Sequence, residues 1–123
     1  MNRKLLVAGV AGLVSVSAAN AMDVGTFLAK AEILRERGVL AMFASEYGEL
    51  QAEIRTSYRS LKQERLAAQG AGRRPAYCPP GPASLSMEEM LGAMTSVPAA
   101  RRTRVQVRDA LRAAFARKYP CRA

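Results

Sequence analysis

The chain has 123 residues, 19 Lys and Arg against 10 Asp and Glu, two cysteines and no histidine. That length makes one domain with a modest core. The missing histidine excludes Ser–His and Cys–His catalytic pairs and removes the commonest metal ligand, so the composition argues against an enzyme and calls for no cofactor.

The opening "MNRKLLVAGVAGLVSVSAANA" has a basic start at Arg3 and Lys4, an apolar run from Leu5 to Val16, and small residues at Ala19 and Ala21. This is the pattern of a Sec signal peptide, cleaved after Ala21, that sends residues 22–123 to the periplasm. The run is shorter than the ~20 apolar residues a membrane span needs. Without Arg3 and Lys4 the formal charge falls by two from +9 and stays strongly basic. From Arg101 onward there are eight Arg and Lys against the single acid Asp109. In an exported protein such charge points to anionic lipid head groups, cell-wall polymers or an acidic protein, and not to nucleic acid.

Asp23 or Thr26 can cap a first helix through "FLAKAEILRER", whose Phe27, Leu28, Ala31 and Leu34 recur at helical spacing, and Gly38 ends it. A short apolar turn, residues 39–43, leads to Ser45 as a candidate N-cap. A long second helix then runs to about Gln69, with Tyr47, Leu50, Ile54, Tyr58 and Leu61 on one stripe and Gly70 closing it. Pro75, Pro79, Pro80 and Pro82, interleaved with Gly72 and Gly81, forbid a helix in the connection that follows.

Ser86 and Glu89 form an S-x-x-E capping box, with Leu85 and Met90 placed as its hydrophobic staple, so a third helix is expected from Met87 to about Thr95. Pro98 opens the next turn. A last helix, roughly 106–119, turns Val107, Ala110, Leu111, Ala114 and Phe115 to the core, and Pro120 stops it. The class is therefore all-α: a small domain of about four helices.

Few residues invite chemistry. Glu88 and Glu89 are adjacent acids in a first helical turn, where capping and the helix dipole account for them better than a catalytic pair. Met87, Met90 and Met94 share one helix face, a geometry that soft Cu(I) accepts, but core packing is the favoured reading and no metal site is assigned. The cysteines are more informative. In an oxidising compartment an even count of two reads as one disulfide, Cys78 to Cys121, worth about 4 kcal/mol in the chain-entropy model. Zinc would need two further ligands, and a redox pair would normally be C-x-x-C.

The segment "YCPPGPASLSMEEMLGAMTSVPAARRTRVQVRDALRAAFARKYPC", residues 77–121, combines a Cys-Pro, a short capped helix, a proline turn, a "DALRAAF" helix and a terminal aromatic-Pro-Cys. It resembles the C-terminal half of the Rap/Tai periplasmic immunity proteins of type VI secretion. The resemblance implies an exported, disulfide-containing helical fold and, as partner, a peptidoglycan amidase effector that the protein inhibits. Only Cys78 and Cys121 carry over by motif, as the disulfide. The central helix "EYGELQAEIRTSYRSLKQER" lacks the further cysteine and the aromatic-glycine motif of toxin-neutralising members.

The leading expectation is thus a protein-binding role, with a homodimer left open. The rigid loop from Arg73 to Pro82, presenting Arg73, Arg74 and Tyr77, is the candidate surface, since a loop held by a staple loses little entropy on binding. The alternative is association with the anionic envelope through a basic face of Arg101, Arg102, Arg104, Arg108 and Arg112.

Overall fold

A computed structural model describes residues 21–122, and the expected signal peptide lies outside them apart from Ala21. Four helices occur in chain order: α1 Val24–Arg37, α2 Ser45–Gly70, α3 Met87–Thr95 and α4 Val107–Lys118. A 3-10 segment at Gly38–Phe43 lies between α1 and α2 and a 3-10 turn at Ala99–Arg101 between α3 and α4, and the described residues contain no strand. The all-α expectation therefore holds, with the Cys78–Cys121 disulfide bonded at 2.01 Å.

Local devices set several of the helix ends. Asp23 caps α1 by accepting from the Thr26 amide at 2.8 Å, and it also accepts from the Thr26 hydroxyl at 2.7 Å. Gly38, at φ +56°, ends α1 in a backbone region that a side chain disfavours. For α2 two expectations need correction. Ser45 lies inside the helix behind Ala44, the actual N-cap, and its hydroxyl turns to Glu46 instead of to a backbone amide. At the other end Gly70 is still helical, and Gly72, at φ +68°, makes the turn. The Gly72 amide donates to Gln69 O at 3.1 Å and the Arg73 amide to Ala68 O at 2.8 Å, the paired bonds of a Schellman motif. Gln69–Gly70 could continue the helix because the stop needs only one left-handed residue, two positions later. The capping box of α3 forms as expected, with Ser86 and Glu89 exchanging bonds of 2.9 and 3.0 Å.

The core joins all four helices. Phe27, Leu50, Leu61, Met94, Val107, Leu111 and Phe115 are buried together, and Leu28, Ile54, Tyr58, Leu85 and Met90 pack around them. Each fully buried Leu or Phe contributes roughly 1.5–3 kcal/mol through apolar area removed from water. α2 lies against both α1 and α4, and α3 packs on α4. Of the three methionines on α3, Met94 is buried and Met90 partly so, whereas Met87 stands in solvent. Core packing therefore accounts for two of the three.

The ends of the domain are sewn to each other. Val24 N donates to Val105 O at 2.8 Å and Val107 N to Met22 O at 2.9 Å, an isolated antiparallel bridge around Asp23 and Gln106. Gly25 N reaches Arg102 O at 3.0 Å, and a Cβ at Gly25 would crowd the capping carboxylate of Asp23 at 3.1 Å, so glycine leaves room for that cap. The start of α1 and the start of α4 are thereby held as one unit.

Candidate functional site

The proline-rich connection between α2 and α3 is anchored at its middle and its end. Cys78 N donates to Tyr119 O at 2.8 Å beside the disulfide. The Lys118 ammonium donates to Ser84 O at 2.9 Å and to Glu89 Oε1 at 2.8 Å. The Leu85 amide donates to the Tyr58 hydroxyl at 3.3 Å. These bonds hold residues 79–83 as a fixed wall facing the middle of α2.

Between that wall and α2 lies an open groove of about 660 Å³. Its floor is aromatic, from Tyr58, Tyr77 and Phe115, and its α2 rim carries Arg55, Arg59, Lys62 and Arg65. No Asp or Glu lines it, and none of these four cations makes an ion pair among the described residues. Of the acids closest to them along α2, Glu64 is gripped by the Arg112 fork at 2.8 and 3.1 Å, and Glu53 accepts from the Ser57 hydroxyl at 3.4 Å. Arg65 lies 5.8 Å from the Tyr77 ring centroid, within reach of a cation–π contact, and its buried Nε has no partner.

The expected site residues do not come together as one surface. Arg73 and Arg74 are exposed as expected, and the Arg74 guanidinium donates to Cys121 O, which fastens the loop to the C-terminal segment. Tyr77 is a correction. Only 3% of it is exposed, and its ring stacks on Phe115 with centroids 5.0 Å apart. An aromatic ring adjacent to the staple gains more from core burial than from solvent, and burial pushes its phenol up while Arg65 pulls the other way.

The basic face after Arg101 is also largely spoken for. Arg102 donates to Val97 O at 2.9 Å and Thr95 O at 3.2 Å, satisfying carbonyls at the end of α3. Arg104 is exposed and reaches Ala100 O at 3.4 Å, and Arg101 is exposed. Arg108 turns toward Ser60 of α2, and Arg112 bridges Glu64 and Asp109. The Glu64 bond, followed by that to Asp109, holds the Arg112 guanidinium above its ordinary range.

A second surface was not assigned from sequence at all. In the turn Gly38–Phe43 four large apolar side chains stand in solvent: Val39 is 91% exposed, Leu40 64%, Met42 66% and Phe43 83%. Soluble monomers seldom leave so many contiguous apolar side chains uncovered without a use for them. The signal was the run "VLAMF" itself, five residues that are too few to form an amphipathic helix and have no polar partner face. The α2 cations also had a signal, the spacing Arg55, Arg59, Lys62 on one helical stripe, but the groove exists only once the distant loop lies across from it.

Among the described residues no group of three His, Cys, Asp or Glu is placed to hold a metal ion. Comparison with protein-family models, curated proteins and solved structures gives no match for this chain.

Proposed function

We propose that this chain is an exported helical protein of Rap/Tai type that acts by binding a partner protein, and that the partner is a peptidoglycan amidase effector which it inhibits. The observation that carries the binding part is the exposed turn Gly38–Phe43, whose Val39 and Phe43 have the size and apolar character of interface anchors. The resemblance over residues 77–121 supplies the export, the disulfide and the class of partner. A small, stapled domain suits this work because little of it needs to order on contact.

The periplasmic complex is the test. Tagged mature protein should co-purify with a stoichiometric partner that survives about 0.5 M salt, where bare charge contacts are screened. Val39→Ser with Phe43→Ser should abolish the capture while leaving the helical signal intact. Capture that is unchanged in the double variant removes the turn from the interface. A captured partner without amidase activity, or one whose activity the chain leaves untouched, ends the immunity reading. Association with anionic envelope components through the arginines after Arg101 is less supported, because Arg102, Arg108 and Arg112 are engaged within the domain.

A further inference from the structure

We propose that the groove between α2 and residues 79–83 is a second binding site, and that its occupant is an acidic amphipathic helix of a partner protein. The inference takes its class of ligand from the partner-binding reading but does not depend on the turn Gly38–Phe43.

Charge selects the sign of the ligand. Arg55, Arg59, Lys62 and Arg65 line one rim without a carboxylate opposite any of them, whereas Lys30, Arg112 and Lys118 each pair with an acid. Cations on a partly apolar wall keep more of their field than cations in open water, so they attract an anion across the groove. Shape excludes a flat partner. A bilayer surface cannot descend to a floor formed by Tyr58, Tyr77 and Phe115 beneath two raised walls.

Backbone chemistry then separates a helix from a strand. A strand adding to this wall would need amide donors, and Pro79, Pro80 and Pro82 have none. A helix satisfies its own backbone and is recognised by side chains alone. Spacing agrees with that choice. The four cations recur every three or four residues along α2, so they cover about 15 Å at a helical pitch. Glu or Asp residues at i, i+3/i+4 and i+7 of a second helix repeat at the same pitch and can face them in turn. Apolar residues between those acids would lie on the half-buried Tyr58 and on the prolines of the wall, because Tyr77 and Phe115 are almost closed to solvent.

The test uses the mature protein as bait for a displayed library of amphipathic helical peptides at about 0.15 M salt. Selected sequences should be rich in Glu and Asp at helical spacing, and a chosen peptide should bind Arg59→Glu/Lys62→Glu at least about ten-fold more weakly. Both substituted side chains are exposed, and a thermal melt of the double variant checks that the fold is intact. Phe43→Ser should leave this peptide's affinity unchanged, which separates the groove from the turn. The proposal is overturned if selected peptides show no acidic bias, or if they bind the charge-reversed variant equally. It is also overturned if vesicles containing anionic phospholipid compete for the same four cations as well as the peptide does.

Discussion

Tyr77 and Phe115 stack with ring centroids 5.0 Å apart and planes 25° from parallel. One belongs to the proline-rich connection and the other to α4, and Tyr58 and Tyr119 complete the cluster around Phe115 at 5.3 and 6.1 Å. Because Tyr77 directly precedes Cys78, the stack and the disulfide hold the same stretch of loop by two independent means.

Tyr77→Ala should therefore destabilise the domain by about 3 kcal/mol, the range for deleting a buried aromatic ring. Tyr77→Phe should cost under about 1.5 kcal/mol because the stack remains. Urea unfolding of both variants checks this. Equal losses would mean that the phenol, and not the ring, holds the loop.

Loss of the Cys78–Cys121 bridge should lower stability by about 2–4 kcal/mol without changing helix content. Cys78→Ser with Cys121→Ser is the variant, and far-ultraviolet circular dichroism during urea unfolding is the measurement. Because the bridge spans a sequence separation of 43, most of this effect comes from the unfolded chain. The intact protein should weigh two hydrogens less than its reduced form.

Acid should weaken the domain partly through Glu89. The Lys118 ammonium, then the Ser86 amide, hold the Glu89 carboxyl below its ordinary value of 4.5. A folded pKa lower than the unfolded one gives stability that is present above 4.5 and is lost as pH falls through the folded value. Glu89→Gln keeps a side chain able to cap Ser86 but does not ionise. Its urea midpoint should fall less than the wild type's between about pH 6 and pH 3, with Asp23, also lowered by its bonds to Thr26, titrating alike in both. Parallel curves would show that Glu89 does not contribute to acid sensitivity.

Phe43→Ser should leave stability within about 0.5 kcal/mol of the wild type, since the side chain packs on nothing it would uncover. The same change should raise solubility at high concentration, read by light scattering. A large loss of stability would show that the turn supports the fold and is not held out for a partner.

The boundaries of the helices were legible wherever a short-range device sets them. Gly38 and the Ser86–Glu89 box act within four residues, and both are where the spacing places them. Ser45 misled because serine in a first turn and serine at the cap look alike in sequence, and only the Ala44 backbone, extended at ψ 143°, marks the true start. The stripes of α2 and α4 were legible because each repeats over several turns. The fate of Tyr77 was not, because a lone aromatic in a proline loop has no periodicity to say which way it faces.

What the sequence determined by itself is the class of the fold, the four helices and the pairing of its two cysteines, all of which rest on local spacing, on composition or on an even cysteine count. The tertiary structure alone decided which charges are free. The arginines after Arg101 look like the basic surface in one dimension, yet Arg112 meets Glu64 from 48 positions away and Arg102 is turned onto the end of α3. Meanwhile Arg55, Arg59 and Lys62, which sit among acids in sequence, are left facing a groove without them. Long-range packing assigns partners to charges by distance in space, and no local pattern carries that distance.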